Sequence, residues 1–452
     1  MRLREALRVQ RGDVIAFVGA GGKTSALFRL ARELRAEDWR VIATTTTRVA
    51  VPEAQRAPLA IQVTADTAPT AIRKALDQHG LIFLYRADDV GRHKIIGLAP
   101  NVVSALADAV NSDVLLVEAD GARRLPFKAP YDHEPVIPSD ASLVVPVAGV
   151  DALGQPLDDE HVYNAARILA RYGFPEGSPL IPPWMAVTLR DPQLGLRAIP
   201  DSARVIPLLN KVSTNGYERM RARRVAQLVL RSPRVDAVAL GAMQSPGDPV
   251  HELQQRVAAI ILAAGTSSRM GQSKLLLPWD DRTVIETIVA RLIAARMAEI
   301  VVVTGHQADE VAHLLADVPV QIVRNPVYAE DEMLSSLQAG LRAAPPSTAA
   351  CLVVMGDQPM IEGRVIGRVL AAYAEGQREI VLPVYRGQRG HPVLIGQRYW
   401  PDLLALESGA PRDVIQRYPD QVAEVCVNTD SILRDIDTPE QYRRERFLAG
   451  LP

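Results

Sequence analysis

Apolar runs alternate with helix-length segments along the first half of the chain. The runs lie at residues 14–19, 41–47, 81–85, 113–120, 142–149, 203–211 and 235–241. Continuous apolar strands that alternate with helices are typical of a parallel sheet covered on both faces, because both sides of each strand are buried. We therefore predict a doubly wound α/β domain over residues 1–245.

The same alternation restarts after a stretch rich in proline, glycine and polar residues. We predict this stretch, 246–256, as a linker, and residues 257–452 as a second doubly wound α/β domain. Its apolar runs lie at 257–265, 299–305, 320–326, 351–357, 379–396 and 422–430, with helices over 283–297, near 308–316 and from Thr438. The run 379–396 contains Gly387 and Gly390, which predicts two strands and a partly antiparallel, mixed sheet.

Composition excludes several classes of protein. A hydrophobic share of 48% and a charged share of 23% are ordinary for a globular chain of 452 residues. The net charge of -1 gives no general nucleic-acid surface. Cys351 and Cys426 stand in apolar runs and are expected to be buried, without C-x-x-C spacing for a metal. We find no apolar run of about 18 residues, so we expect a cytoplasmic protein without membrane contact.

Residues 260–278, IILAAGTSSRMGQSKLLLP, join an apolar strand to a loop rich in small residues and cations. Backbone N–H groups of such a loop can point at phosphate oxygens, and arginine and lysine side chains bind oxyanions. We predict Arg269 and Lys274, together with Asp357 at a later strand end, as catalytic residues. The predicted nucleotide-binding residues of this loop are Leu262, Ala263, Ala264, Gly265 and Gly271.

Three more polar clusters follow apolar strands, where open α/β sheets bind their ligands. They are Gly356-Asp357-Gln358-Pro359, Gly390-His391-Pro392 and Asp435-Ile436-Asp437-Thr438-Pro439. We predict Asp357 and Asp437 as ligands of Mg²⁺, which takes one or two carboxylates together with substrate phosphates. His391 is a possible contact of a second substrate. Structural alternatives remain open, because an aspartate also makes turns and precedes helices.

Together, in this order, these motifs resemble the molybdenum cofactor cytidylyltransferases, a MobA-like group of NTP transferases, from about residue 257 to the end. The segment 325–341, NPVYAEDEMLSSLQAGL, is similar to another motif of that family and adds Ser335 to the nucleotide-binding set, although Glu332 stands where glycine is common. The resemblance implies a Rossmann-like fold and a reaction of CTP with molybdenum-bound molybdopterin that releases diphosphate. In it, Asp357 and Asp437 hold Mg²⁺ while Arg269 and Lys274 neutralise the departing phosphates.

The base is predicted from one position in the loop. The guanylyl branch of the family usually has L-A-G-G where this chain has Leu262-Ala263-Ala264-Gly265. A methyl group at Ala264 narrows the space beside the base, which favours the smaller cytosine.

Near the N-terminus, FVGAGGKTS (17–25) follows a strand and opens a helix, the layout of a phosphate-binding loop. Lys23 and Thr24 fit the end of the P-loop motif, but Phe17 replaces its first glycine. We predict a shortened, P-loop NTPase-like site for ATP or GTP, formed by Gly19, Gly21, Gly22, Lys23 and Thr24.

Two further segments favour a nucleotide in this domain. Glu118 and Asp120 end an apolar strand as in a Walker-B-like motif, and LLNKVS (208–213) is similar to the N-K-x-D of GTPases with Ser213 in place of the aspartate. Residues 10–245 resemble accessory proteins of selenium-dependent molybdenum hydroxylases, through ATTTTRV, VEADGARRLPFKAP and HEPVIP. Second-substrate candidates are Asp120, Lys128, His133 and Glu134.

The sequence therefore favours a fusion that matures a molybdenum hydroxylase cofactor, with the apo-hydroxylase as a possible partner. Two alternatives stay open. The second domain could transfer a nucleotidyl group from GTP or to a sugar phosphate. The chain could instead be a nucleotide-regulated chaperone that delivers the cofactor.

Overall fold

Two compact units, Met1–Gln254 and Gln255–Pro452, make up the chain. The computed structural model describes residues 1–213, 216–267, 270–329 and 333–451, with the backbone alone at Ala107. Both units are α/β, which confirms the predicted fold class. Among the described residues, no helix combines the length and apolar character that crossing a membrane requires.

The first unit is built on a ten-stranded sheet. Its strands, in spatial order, are Val250–Gln254, Val238–Gly241, Leu208–Asn210, Leu143–Gly149, Asp13–Gly19, Val114–Glu118, Val41–Thr45, Leu81–Tyr85 and Ala60–Gln62, with Arg204–Val205 beside Leu143–Gly149. All pairs are parallel except the one made by Val250–Gln254. Two apolar clusters, one on Leu3, Phe28 and Leu34 and one on Ile72, Leu76 and Val103, include side chains from opposite faces of the strands.

The helices of this unit connect and cover the strands. They are Leu3–Ala6, Lys23–Arg35, Val51–Ala54, Pro69–His79, Pro100–Val110, Ala165–Tyr172, Pro182–Leu189 and Gly216–Val229. A separate three-stranded sheet has the order Arg48–Ala50, Lys94–Ile96 and Ala87–Asp89. Phe127–Lys128 pairs with Val162–Tyr163.

The second unit has an eight-stranded mixed sheet. Its order is Gln321–Arg324, Glu299–Thr304, Val257–Ala263, Ala350–Met355, Val393–Gly396, Ile380–Tyr385 and Gln388–Arg389, with Val422–Cys426 beside Ile380–Tyr385. The first four strands are parallel, and Val393–Gly396 joins them antiparallel. The helices are Val284–Ala294, Ala308–Leu314, Leu334–Ala343, Gly363–Ala374, Trp400–Leu404, Pro411–Arg417 and Pro439–Leu448.

Three expectations need correction. The predicted linker 246–256 contains the strand Val250–Gln254, which joins the first sheet by antiparallel pairing with Val238–Gly241. Its buried Glu252 pairs with Arg219 and Arg223 of a neighbouring helix. The run 203–211 is two short strands, Arg204–Val205 and Leu208–Asn210. Cys351 is buried as expected, but Cys426 is exposed at the end of its strand.

Candidate functional sites

The loop after Val257–Ala263 lies at the carboxyl end of the parallel part of the second sheet. Leu262 is in register with Met355 of the next strand, so Gly356 and Asp357 emerge beside the loop. The Gly356 N–H donates to the Leu262 carbonyl over 3.0 Å. A Cβ at Gly356 would lie 2.7 Å from that oxygen, so this approach requires glycine.

Lys274 joins the two predicted metal ligands. Its Nζ lies 2.6 Å from Asp357 Oδ2 and 3.2 Å from Asp437 Oδ1. The two carboxylate oxygens are therefore no farther apart than the sum of these distances. Burial opposes the charge of Lys274, but Asp357 and Asp437 outweigh it and raise the pKa of the ammonium. The arrangement is a charged lysine bracketed by two carboxylates at the end of the loop that follows Val257–Ala263.

Asp437 is held by the start of the last helix. The Thr438 hydroxyl accepts from Gln441 N, Pro439 is the first helical residue, and Gln441 Oε1 accepts from the N–H of Asp437 over 2.9 Å. The N–H of Ile436 donates to the Asp357 carbonyl over 3.1 Å. The helix predicted from Thr438 is confirmed, and its N-terminal cap fixes the backbone of Asp437 beside Asp357.

The Asp357 carboxylate has an oxygen available for a cation. Asp357 Oδ1 is buried and has no hydrogen-bond partner among the described residues, while Oδ2 contacts Lys274. Burial and the charges of Asp437 and Asp357 raise the pKa of Asp435, so the region is crowded with negative charge. Clusters of three or more His, Cys, Asp or Glu that could hold a metal do not occur in the described part of the chain. Mg²⁺ is nevertheless commonly coordinated by one or two carboxylates together with substrate oxygens, and this pair of aspartates fits that preference.

Two cavities open beside this cluster. The smaller one, about 110 Å³, is lined by Leu262–Gly265, Lys274 and Asp357. The larger one, about 490 Å³, is lined mostly by apolar side chains, with His391 and the cations Arg389 and Arg412. Leu262 and Met333 line both, so the cavities adjoin. Burial lowers the pKa of His391, which keeps its imidazole neutral near pH 7.

The other predicted residues of this unit have varied locations. Ala264 is buried and lines the smaller cavity. Ser335 lies at the start of its helix, where its hydroxyl accepts from Asn325 Nδ2 over 2.9 Å. Gly271 is exposed, with a positive φ of 68° that favours glycine. Arg269 and Glu332 lie outside the described residues.

Sequence reasoning missed three polar residues of this unit. Arg389 and Arg412 line the larger cavity, and Asn325 is buried and holds both Ser335 and Ser336. The N-P pair within 325–341 was a signal for Asn325, whereas the two arginines had none because single surface arginines are common.

In the first unit, Lys23 lies beneath its glycine loop. Its Nζ donates to the Gly19 carbonyl over 2.7 Å and lies 3.1 Å from Asp120 Oδ1. The Thr24 hydroxyl donates to Glu118 Oε2 over 2.8 Å, and burial raises the pKa of Glu118 to about 7. The lysine, threonine and two acids of the predicted Walker-type motifs therefore meet.

The loop conformation depends on glycine and on one asparagine. Gly21 and Gly22 have φ of 80° and 122°, and a Cβ at Gly21 would lie 2.2 Å from the Gly149 nitrogen. Asn210 Nδ2 donates to the Gly21 carbonyl over 2.8 Å, and its Oδ1 accepts from Met243 N. Asn210 belongs to LLNKVS, so the sequence contained the signal, but its role here is to hold the loop.

The second-substrate candidates of the first unit divide into two groups. Lys128 is buried and contacts Glu134 Oε2 at 2.8 Å and Asp120 Oδ2 at 3.1 Å. Asp120 also accepts from the Gly19 N–H. Asp120 and Lys128 therefore lie behind the loop, whereas His133 and Glu134 line the main cavity.

Comparison with known proteins agrees with this division of the chain. Residues 15–166 match the family model for the YqeC protein, and residues 259–422 match that for a MobA-like NTP transferase domain. Protein YqeC of Escherichia coli (strain K12) is 31% identical over 52% of this chain and 89% of its own length.

Two relatives cover the second unit. Molybdenum cofactor cytidylyltransferase of Escherichia coli (strain K12) is 29% identical over 42% of this chain and 97% of its own length. Nicotine blue oxidoreductase of Paenarthrobacter nicotinovorans is 30% identical over 42% of this chain and 95% of its own length. These two relatives are named for different reactions. Sequence identity alone therefore does not determine which reaction this chain catalyses, and the side chains of the site must be considered.

Proposed function

Because this chain belongs to the YqeC protein family and has a MobA-like nucleotidyltransferase domain, we propose that its second unit is a molybdenum cofactor cytidylyltransferase. The reaction joins the CMP part of CTP to the terminal phosphate of molybdenum-bound molybdopterin and releases diphosphate. The observation that favours it is the contact of Lys274 with both Asp357 and Asp437 beside the loop.

The chemistry needs charge neutralisation more than covalent catalysis. A phosphate oxygen attacks the α-phosphorus, and the bond to the β-phosphate oxygen breaks with its electron pair on diphosphate. Asp357 and Asp437 would hold Mg²⁺, which would offset charge on the phosphates. Lys274 keeps the two carboxylates together and supplies a cation within reach of the leaving group. Arg269 is proposed as a second cation for the phosphates.

The adjoining cavities suit the two reactants. Leu262–Gly265 border the smaller cavity, which we assign to the nucleotide, with Ser335 and Gly271 as supporting positions of the same site. The larger, mostly apolar cavity would accept the flat pterin, and Arg389 and Arg412 offer charge for its phosphate. His391 would contact the acceptor as a neutral hydrogen-bonding group. An apo-hydroxylase would then receive the product.

Turnover by the full chain tests this function. The protein is incubated with Mg²⁺, labelled CTP and purified molybdenum cofactor, and both diphosphate and the dinucleotide product are measured. We expect product with CTP, little with GTP, and none with sugar 1-phosphates. Turnover of a sugar phosphate without turnover of the cofactor would replace this proposal by the sugar nucleotidyltransferase alternative.

Replacing Ala264 with glycine tests the choice of base. Ala264 is 2% exposed and lines the nucleotide cavity, so removing its methyl group should admit a larger base. We expect the CTP-to-GTP ratio of kcat/KM to fall about tenfold, which corresponds to about 1.4 kcal/mol. Ala339→Gly is the control for a general loss of side-chain volume in this unit. An unchanged ratio would remove the argument from Ala264.

The first unit is proposed to bind ATP or GTP at Gly19–Thr24 and to assist hydroxylase maturation. We expect Lys23→Ala to weaken nucleotide binding at least about 30-fold, because the cation at the end of the phosphate-loop motif is lost. The measurement is titration of the full chain with a non-hydrolysable, fluorescent ATP or GTP analogue, with Lys74→Ala, an exposed lysine of the same unit, as control. Equal affinity in the two variants would contradict the assignment.

A further inference from the structure

The main cavity of the first unit is large for a single nucleotide. Its volume is about 1070 Å³, and Gly21–Ser25 occupy only one part of its lining. Ligand cavities usually hold one molecule in about 300 to 1,000 Å³. The cavity is therefore at the upper end of that range, and most of its lining lies beyond the loop.

That space is surrounded by cations. Eight basic side chains away from the phosphate loop line the cavity. Two of them are engaged elsewhere, because Lys211 pairs with Asp151 and Arg56 lies over the Phe28 ring. The other six are named here the arginine wall, namely Arg48, Arg86, Arg92, Lys94, Arg123 and Arg124. All six are exposed. The cavity has three acidic lining residues, Glu53, Glu118 and Glu134. Glu118 and Glu134 are already bound to Thr24 and Lys128, so Glu53 is the one acid of the described lining that is left to face six cations.

Few acidic side chains lie close enough to neutralise the positive charge of the arginine wall. Arg48 lies 3.4 Å from Asp89, which does not line the cavity. Within the described ranges, the other five cations have no acidic side chain at ion-pair distance, and Arg123 lies over the Tyr163 ring at 5.5 Å. Positive charges that converge in a cleft strengthen the electrostatic potential there and attract anions. Because they converge in a concave space of an otherwise neutral chain, a small ligand fits better than a nucleic acid.

Backbone conformation adds an independent observation. Arg123 and Arg124 have consecutive left-handed φ angles of 46° and 66°. Side-chain-bearing residues adopt this region at a cost, and such positions cluster at ligand sites. The two arginines follow Asp120-Gly121-Ala122, after the end of the strand next to the phosphate loop. Their placement is therefore coupled to the Walker-type acids.

We propose that the first unit is a two-ligand site, in which a small anion with at least two phosphate or carboxylate groups binds the arginine wall beside the nucleotide. This inference rests on the proposed nucleotide binding by Gly19–Thr24. It makes the unit a site for a nucleotide-dependent reaction or transfer of an anionic compound, and it assigns ligand contacts to residues outside the phosphate-loop motif.

Arginine footprinting of the full chain tests the proposal residue by residue. The protein is saturated with Mg²⁺ and a non-hydrolysable ATP or GTP analogue, and inorganic pyrophosphate or citrate is added before brief phenylglyoxal treatment and peptide mass mapping. We expect either anion to slow modification of Arg123 and Arg124 at least fivefold beyond the nucleotide alone. Arg231, exposed in the same unit and away from the cavity, should not change. Protection by pyrophosphate but not by citrate would show that the site prefers phosphate groups.

Charge reversal provides the second measurement. We expect Arg124→Glu with Lys94→Glu to weaken pyrophosphate protection of Arg123 at least tenfold while nucleotide affinity changes less than threefold. Arg231→Glu is the matched control. Complete protection by the nucleotide alone, or no protection by either anion, would overturn the two-ligand site. If no nucleotide binds, the loop proposal fails, and protection in the nucleotide-free protein still decides whether the wall binds anions.

Discussion

Asp357→Asn is expected to lower kcat for nucleotidyl transfer at least about 100-fold, a loss of about 3 kcal/mol of transition-state stabilisation. Asparagine keeps the shape of the side chain but removes its negative charge. Lys274 then loses a charged partner, and the buried Oδ1, which has no hydrogen-bond partner in the described residues, is no longer a carboxylate oxygen. Transfer is measured as diphosphate release by the full chain with CTP, Mg²⁺ and molybdenum cofactor.

The matched control for this prediction is Asp317→Asn, since Asp317 is an exposed aspartate of the same unit. It should retain wild-type turnover. Titration with Mn²⁺ in the presence of a non-hydrolysable CTP analogue shows which role Asp357 has. If Asp357 is a metal ligand, Asp357→Asn weakens Mn²⁺ binding; if it is only an ion-pair partner of Lys274, Mn²⁺ binding is unchanged. If Asp357→Asn retains turnover, the transferase site proposed here is wrong. A cofactor chaperone would then be the better alternative.

Glu252→Gln is expected to destabilise the first unit by about 3 kcal/mol. Glu252 is 0% exposed and pairs with Arg219 and Arg223, the latter at 2.8 Å. Removing one member of a buried ion pair leaves the other charges uncompensated. Hydrogen exchange of the full chain measures the effect, because amides of the core strands in 1–254 should exchange faster while those in 255–452 serve as an internal reference.

Asp151→Asn is the control, since its contact with Lys211 is exposed and surface pairs contribute at most about 1 kcal/mol. The prediction also has a pH dependence. Burial works to raise the pKa of Glu252, but hydrogen bonds and charge from Arg223 and Arg219 hold it below its usual value. The stabilisation is therefore fully present at pH values above the pKa of glutamate in the unfolded chain. It is lost as the pH falls through the lower pKa that Glu252 has in the folded protein. Equal amide exchange rates in the Glu252→Gln variant and the unchanged protein at neutral pH would refute the role of this ion pair.

The sequence by itself determined the two α/β series and the position of each motif at a strand end. Apolar runs specify buried strands locally, and Thr438-Pro439 with Gln441 specifies a helix start without any long-range contact. The succession of strand, glycine loop and helix around Lys23 and Thr24 was likewise readable, because glycine and the helix start act within one turn of chain.

Only the tertiary structure decided which side chains meet. Lys274 contacts Asp357 and Asp437 across 83 and 163 positions of sequence, and these contacts depend on strand order and register. The strand Val250–Gln254 joined the first sheet through the antiparallel pairing of its backbone and a buried glutamate, although its composition favoured a linker. The arginine wall was invisible in the sequence for the same reason. Its residues look like solvated charges until folding brings distant segments around one cavity.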